Sequence, residues 1–190
     1  MILISQNITN YDFNIPKDAV FRINLAWVNT IEELRTLLEK HSSRKIFLDL
    51  PINRTKPPNN KYSFEDLISI LEEFGNIRYL AVSNVAKPEN ITNYLSKSPP
   101  NIIIVPKIES RLGVKNIESI TNELRDGEKI IMLDHDDLFS DLIKSGVSSD
   151  EFSKYVNKLV DFCNENKIEL LRTIGVIFAD ERKNVSNYVK

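Results

Sequence analysis

The chain has 190 residues, of which 42% are hydrophobic, so it is long enough to bury the core of one ordinary domain. Its 25 Lys and Arg residues nearly balance its 27 Asp and Glu residues, and the net charge of −2 argues against nucleic-acid and membrane-surface binding. With no apolar run near the roughly 20 residues of a membrane span, no glycine-rich phosphate loop and a single cysteine, the sequence indicates a cytoplasmic protein.

Predicted strands and helices alternate along the chain. Short apolar runs rich in Val and Ile predict seven strands, at residues 1–5, 20–25, 45–50, 79–83, 102–108, 129–133 and 172–178. Helix start signals lie between most of them: Thr30 with Glu33, Ser63 with Asp66, and Pro88 in a first turn. Two more amphipathic helices are predicted around 117–124 and 149–163.

This alternation predicts an α/β fold with a parallel sheet and the helices outside it. Seven strands are one fewer than a complete barrel of eight needs, and the chain is shorter than the roughly 250 residues typical of that fold. We therefore expect one domain over residues 1–190, a compact or incomplete TIM (β/α) barrel. Two sheet edges would then carry unpaired backbone groups, so either the barrel closes directly or a second subunit completes it in a homodimer.

Lys107 and Glu109 end a strand that is otherwise apolar. Because side chains two residues apart on a strand share a face, both would point to the same side of the sheet. On the side of an active site, Glu109 could bind a hard cation while Lys107 faces a developing anion. The alternative, favoured by this segment alone, is that both side chains leave the strand into solvent.

Three further strand ends carry polar residues. The run 134–137 (Asp-His-Asp-Asp) could bind Mg²⁺ or Mn²⁺, or could be an acidic turn that caps the next helix. Asp49 ends its strand with the same ambiguity. Arg22 and Asn24 interrupt an apolar strand on one face, and a buried arginine needs a partner, either a carboxylate such as Asp49 or a bound anionic substrate.

Taken in order, these segments resemble the barrel domain of pyruvate kinase, one of the barrels that bind phosphoenolpyruvate or pyruvate. The resemblance runs from Val20 to Leu138 through five segments: 21–24 (Phe-Arg-Ile-Asn), 48–54 (Leu-Asp-Leu-Pro-Ile-Asn-Arg), 79–85, 106–117 (Pro-Lys-Ile-Glu-Ser, then Gly113 and Asn116) and 136–138 (Asp-Asp-Leu). Each motif alone is weak, but five in one order are moderately specific.

The resemblance implies a role for each matching residue. Glu109 and Asp137 would bind the Mg²⁺ or Mn²⁺ that holds the oxo acid, and Asp134 and Asp136 would matter much less. Lys107 would stabilise the enolate and the transferring phosphoryl group. The positions expected to bind substrate or its associated cations are Arg22, Asn24, Asp49 and Arg54.

The sequence also departs from that family. The lid domain is missing after Asp49, and Ala26-Trp27-Val28 replaces the family's Ser-His-Gly, so we do not expect ATP synthesis. The segment 137–142 (Asp-Leu-Phe-Ser-Asp-Leu) is similar to metal-dependent 2-oxo-acid aldolases and citrate-lyase-type enzymes. Two hypotheses stand: a metal-dependent enzyme of phosphoryl transfer or lyase chemistry, and a non-catalytic binding or assembly protein that kept the strands.

Overall fold

The computed structural model describes residues 1–5, 16–52, 58 and 62–173. In this part of the chain the strands are β1 (Leu3–Ser5), β2 (Val20–Asn24), β3 (Ile46–Leu50), β4 (Ile77–Val82), β5 (Ile103–Ile108), β6 (Ile130–Leu133) and β7 (Glu169–Arg172). The helices are α1 (Ile31–Lys40), α2 (Phe64–Glu73), α3 (Glu89–Lys97), α4 (Arg111–Lys115), α5 (Ile117–Glu123), α6 (His135–Lys144) and α7 (Phe152–Asn166).

All seven strands are parallel, and each pairs with the next strand in the sequence. The sheet curls into a half-barrel with the helices around it, which confirms the predicted α/β class and an incomplete barrel with seven parallel strands among the described residues. The first six strands lie at their predicted places. The seventh begins earlier than predicted, at Glu169, because the chain turns into it directly after α7 at Lys167, which has a left-handed φ of 56°. Residues 174–178 of the predicted strand lie outside the described residues.

Side-chain caps begin the first two helices as predicted. Thr30 accepts a hydrogen bond from the Glu33 N–H at 3.1 Å, and Ser63 and Asp66 form a reciprocal capping box. These contacts satisfy backbone donors that have no partner within the helix. The structure also contains α4 and α6, which the sequence analysis did not predict. The five residues of α4 are too few to show a periodic pattern, and the start of α6 is equally typical of an acidic turn.

Alternation along the strands produces two apolar layers. Side chains such as Ile23, Leu48 and Leu80 face the helices and form the larger core, whereas Phe47, Tyr79 and their neighbours fill the concave face of the sheet. The Phe47 and Tyr79 rings lie 6.0 Å apart at their centroids. This apolar floor occupies the amino-terminal part of the concave face, so the polar residues of the same face lie above it, at the carboxyl ends of the strands.

Among the described strands, β1 and β7 are the two edges of the sheet. They approach each other without a backbone ladder between them: the amino group of Met1 pairs with the Glu169 carboxylate, and a cavity of about 540 Å³ lies between the edges. The described residues contain no helix that is long and apolar enough to cross a membrane.

One arginine holds the amino-terminal side of the sheet together. The Arg125 guanidinium donates hydrogen bonds to four backbone carbonyl oxygens in the segment that runs from the last turn of α3 to the residue before β5, those of Leu95, Ser98, Pro99 and Ile102. These acceptors lie 23–30 residues before the arginine in the sequence. Arg125 therefore fixes the entry into β5, the strand that carries Lys107.

We predict that Arg125→Met lowers the free energy of unfolding by about 3 kcal/mol, because four carbonyl groups lose a charged donor at once. Urea denaturation would measure the loss. Arg35→Met is the matched control, since the surface pair of Arg35 with Glu73 should contribute no more than about 1 kcal/mol. Equal effects of the two substitutions would contradict the role assigned to Arg125.

Candidate functional site

The carboxyl ends of β2 to β6 border a cleft of about 350 Å³. Its lining brings together most of the residues singled out by the sequence: Arg22, Asn24, Lys107, Glu109, Asp134 and Asp137. Further lining residues that the sequence analysis did not single out are Ser83, Asn84, Ser140, Asp141 and Lys144. Arg54 lies outside the described residues.

Arg22 finds its predicted partner in Asp49. The arginine Nε lies 3.0 Å from Asp49 Oδ2, and Nη2 contacts the same oxygen. Burial raises the pKa of the Asp49 carboxyl, but the nearby charges of Lys107 and Arg22 outweigh burial and hold the pKa below its ordinary value. Asp49 is therefore an ionised carboxylate at the bottom of the cleft, with only 1% of its surface exposed.

Lys107 is buried beside two carboxylates, so the interpretation that it leaves the strand into solvent is wrong. Its Nζ lies 2.9 Å from Glu109 Oε1, 3.4 Å from Asp49 Oδ1 and 3.1 Å from Ser83 Oγ. Burial lowers the pKa of this ammonium, but Asp49 and Glu109 more than compensate and raise it above its ordinary value. Lys107 is thus a fixed positive charge with an acceptor for each of its three N–H bonds.

Glu109 joins Lys107 to the loop after β4. Its Oε2 accepts a hydrogen bond of 2.6 Å from the backbone N–H of Asn84, a residue in the left-handed region with φ 57°. The Asn84 side chain donates to the Ile52 carbonyl, which anchors this turn to the loop after β3. Burial raises the pKa of Glu109, and the attraction of Lys107 does not fully offset it. A nearby cation would favour its ionised form.

Glu109, Asp134 and Asp137 form an acidic cluster in which one oxygen from each lies within 4.8 Å of the others. Asp134 directly follows β6 and Asp137 lies in the first turn of α6, so the short strand-to-helix connection brings both carboxylates beside the end of β5. Asp134 also caps α6 by accepting the Asp137 N–H at 3.2 Å, so its capping and clustering roles coexist. Three carboxylates match the oxygen ligands of Mg²⁺ and Mn²⁺.

The neighbouring candidates in this segment lie elsewhere. Asp136 is exposed and outside the cluster, and His135 faces Arg172, whose Nε is 3.2 Å from the imidazole Nε2. Burial and the Arg172 charge lower the pKa of His135.

Asn24, at the end of β2, accepts a hydrogen bond from the Ala26 N–H through its side chain. This contact starts the 3₁₀ turn Leu25–Trp27 at the rim of the cleft.

Gly113 and Asn116 position α4 against the loop after β4. A Cβ at Gly113 would lie 2.7 Å from the Val85 carbonyl oxygen, and Asn116 donates from its side chain to the Ala86 carbonyl at 2.8 Å. Val85 in turn donates its N–H to the Lys107 carbonyl. The spacing of a glycine and an asparagine after the Lys-Ile-Glu segment therefore has a physical reason: it lets the helix approach the loop that holds Glu109.

Comparison with known proteins identifies the fold alone. No family model matches the sequence, and no curated protein matches it. Among solved structures, 324 chains match, and a likeness of fold does not indicate an activity. The crystal structure of RipC from Yersinia pestis is similar over 85% of this chain and 72% of its own, with a TM-score of 0.59 and 18% identity.

We predict that Gly113→Ala lowers the free energy of unfolding by about 2 kcal/mol, because the new methyl group forces α4 away from the Val85 carbonyl. Gly75→Ala is the control: no atom lies within 4 Å of its new Cβ, so the substitution should be neutral or stabilise by up to about 1 kcal/mol. Chemical denaturation of both variants would test this. A neutral Gly113→Ala would contradict the close approach.

We predict that Asp49→Asn costs about 3 kcal/mol of stability near pH 7, because it leaves two cations without their shared carboxylate. The lowered pKa of Asp49 means that its ionised form stabilises the fold above about pH 4, and that this contribution is lost as pH falls through the folded pKa. The difference in free energy of unfolding between wild type and variant should therefore become smaller at acid pH. Urea denaturation at several pH values would measure it.

Glu109→Gln provides the opposite pH dependence. Because the pKa of Glu109 is raised, its protonated form favours the folded state, and this contribution is lost as pH rises through the folded pKa. The Gln variant should therefore gain stability relative to wild type between acid and neutral pH. Parallel pH profiles for the Asp49 and Glu109 variants would contradict the assigned electrostatics.

Proposed function

We propose that this chain is a metal-dependent enzyme that binds phosphoenolpyruvate, pyruvate or a related 2-oxo acid. One observation carries the proposal: a buried, charged lysine lies beside a cluster of three carboxylates at the carboxyl end of a parallel α/β sheet. Catalytic groups in such sheets gather at this end. The order of the motifs that resemble pyruvate kinase barrels supports the same class of substrate.

Glu109, Asp134 and Asp137 are the residues that would hold Mg²⁺ or Mn²⁺. Asp134 joins the pair expected from the sequence because its carboxylate lies in the same cluster while it caps α6. A bound divalent cation would polarise the carboxylate and carbonyl oxygens of an oxo acid. Glu109 can also keep its contacts with Lys107 and Asn84, since a carboxylate has about four lone-pair positions.

Lys107 and Arg22 would act on the negative charge of the substrate. The ammonium of Lys107 is held charged by Asp49 and Glu109, so it can offset an enolate or phosphoryl oxygen as charge develops. Arg22 contacts Asp49 through Nε and Nη2 and lines the cleft, so its guanidinium is placed to bind a carboxylate or phosphate there.

The charge of the cleft favours a divalent cation as part of the binding site. Its lining contains four carboxylates, those of Glu109, Asp134, Asp137 and Asp141, against three cations, and Asp49 lies directly behind. An anionic substrate alone would meet a net negative lining, whereas two added positive charges make the lining favourable for an anion. Phosphoryl transfer and lyase or aldolase chemistry both use this arrangement.

The second candidate is a non-catalytic binding protein. It is supported by the complete set of acceptors around Lys107: Ser83, Asp49 and Glu109 satisfy the ammonium within the protein. A lysine in that position can serve to hold strands together. Binding and turnover must therefore be measured separately.

We predict that the wild-type protein binds Mn²⁺ and that Mn²⁺ with oxalate, an enolpyruvate mimic, raises the melting temperature more than either alone. Glu109→Gln and Asp137→Asn should weaken Mn²⁺ binding at least tenfold, and Asp134→Asn should weaken it as well. Asp136→Asn is the matched control and should bind normally. Titration followed by electron paramagnetic resonance would measure all four, and equal losses across them would rule out the cluster as the metal site.

Exchange of the pyruvate methyl protons in D₂O, followed by NMR, separates the two candidates. An enzyme of this class should exchange them in the presence of Mn²⁺, and Glu109→Gln should abolish the exchange. Joint binding of Mn²⁺ and oxalate without exchange of pyruvate protons would favour the non-catalytic protein. Absence of both Mn²⁺ and oxalate binding would rule out the metal-dependent enzyme and would also favour the non-catalytic protein.

A further inference from the structure

A second concave surface, separate from the cleft, lies between α4 and α7. It is a groove of about 660 Å³ lined by eight residues: Arg111, Leu112, Val114, Lys115, Glu151, Lys154, Tyr155 and Lys158. Four of the eight are cations and one is a carboxylate, in a chain whose net charge is −2. We call this surface the α4–α7 groove.

The four cations are arranged as two pairs that face the groove from opposite sides. Arg111 and Lys115 are four residues apart on α4, and Lys154 and Lys158 are four residues apart on α7, so each pair lies on one helix face. The two helices pack against each other. Like charges at this spacing weakly destabilise a helix, and facing pairs add to the repulsion, so an anion between the two pairs would be stabilised by all four charges.

Only one of these cations is neutralised by a carboxylate among the described residues. Lys154 pairs with Glu151 at 2.7 Å, whereas no ion pair engages Arg111, Lys115 or Lys158 in that part of the chain. The groove also presents apolar surface: Leu112 is 47% exposed, and the half-buried ring of Tyr155 lies in the lining. Cations at the sides and apolar groups in the lining suit a ligand with both characters.

We propose that the α4–α7 groove binds a phosphate ester whose phosphate group carries at least two negative charges and whose body is apolar or aromatic. Arg111, Lys115 and Lys158 contact the phosphate oxygens, and Leu112 and Tyr155 contact the body. The volume of this open groove lies within the range of small-molecule pockets, which is roughly 300–1,000 Å³.

The groove shares a wall with the cleft. Ser110 lines the cleft and caps α4, and Arg111, the next residue, lines the groove. The Arg111 N–H donates to the carboxylate of Asp141, another residue of the cleft, at 2.8 Å. A ligand in the groove would therefore lie beside the entrance to the site proposed for the oxo acid, although its binding requires neither the metal nor the acidic cluster.

Isothermal titration calorimetry with three probes tests the proposal: inorganic phosphate, inorganic pyrophosphate and 1-naphthyl phosphate. The buffer has low ionic strength and contains EDTA, which removes divalent cations. We expect pyrophosphate and 1-naphthyl phosphate to bind, the latter at least tenfold more tightly than inorganic phosphate. Lys115→Gln combined with Lys158→Gln should weaken both at least tenfold without lowering the melting temperature, because both lysines are exposed. Added salt should weaken binding.

Controls separate the groove from general electrostatics and from the cleft. Lys40→Gln with Lys87→Gln removes the same charge from exposed positions elsewhere and should change affinity less than twofold. Leu112→Ser should weaken 1-naphthyl phosphate but not pyrophosphate, and Glu109→Gln should change neither. Three results would overturn the proposal. They are no binding to the wild-type protein, an equal loss of affinity in the two double lysine variants, and loss of binding in Glu109→Gln.

Discussion

The burial of the Lys107 ammonium is the constraint on which the site depends. With 6% of its surface exposed, this charge needs partners inside the protein, and it finds them in Asp49 and Glu109. Asp49 lies two strands away on β3, so the lysine must reach across β4. It can do so because β4 presents only small side chains there, Ala81 and Ser83. Larger residues at these two positions would separate the charges and leave each of them buried alone.

Sequence reasoning located the first six strands and the polar ends of β2, β3, β5 and β6 because both depend on local patterns: apolar runs, caps and the alternation of faces. It also named Asp49 as one of two possible partners for Arg22, the other being a bound anionic substrate. What it could not determine was distance. Whether Lys107 enters solvent or the protein, and whether Asp134 only caps a helix or also joins a carboxylate cluster, depends on how the sheet curls and how α6 leaves β6. Neither property has a signal in a single sequence, and the resemblance to pyruvate kinase barrels supplied residue types without that geometry.

The helix α4 connects two surfaces of different chemistry. Its cap, Ser110, lines the acidic cleft, and its other residues supply cations to the α4–α7 groove. The approach of Gly113 to the Val85 carbonyl fixes the position of this helix relative to the loop whose Asn84 N–H holds Glu109. One loop thus fixes both the position of α4, which forms one side of the groove, and the position of the Glu109 carboxylate in the cleft.

The strand order has a consequence for how the protein is made. Because each strand pairs with the one that follows it in the sequence, the sheet can grow strand by strand as the chain leaves the ribosome, without waiting for a distant segment. The ion pairs of Asp49 do not all form between neighbouring strands. Arg22 and Asp49 meet as soon as β2 and β3 pair, but Asp49 carries its full set of partners only after β5 delivers Lys107, 58 residues later. Until β5 is in place, Arg22 is the cation that the fold holds beside Asp49, and its charge offsets part of the cost of burying that carboxylate.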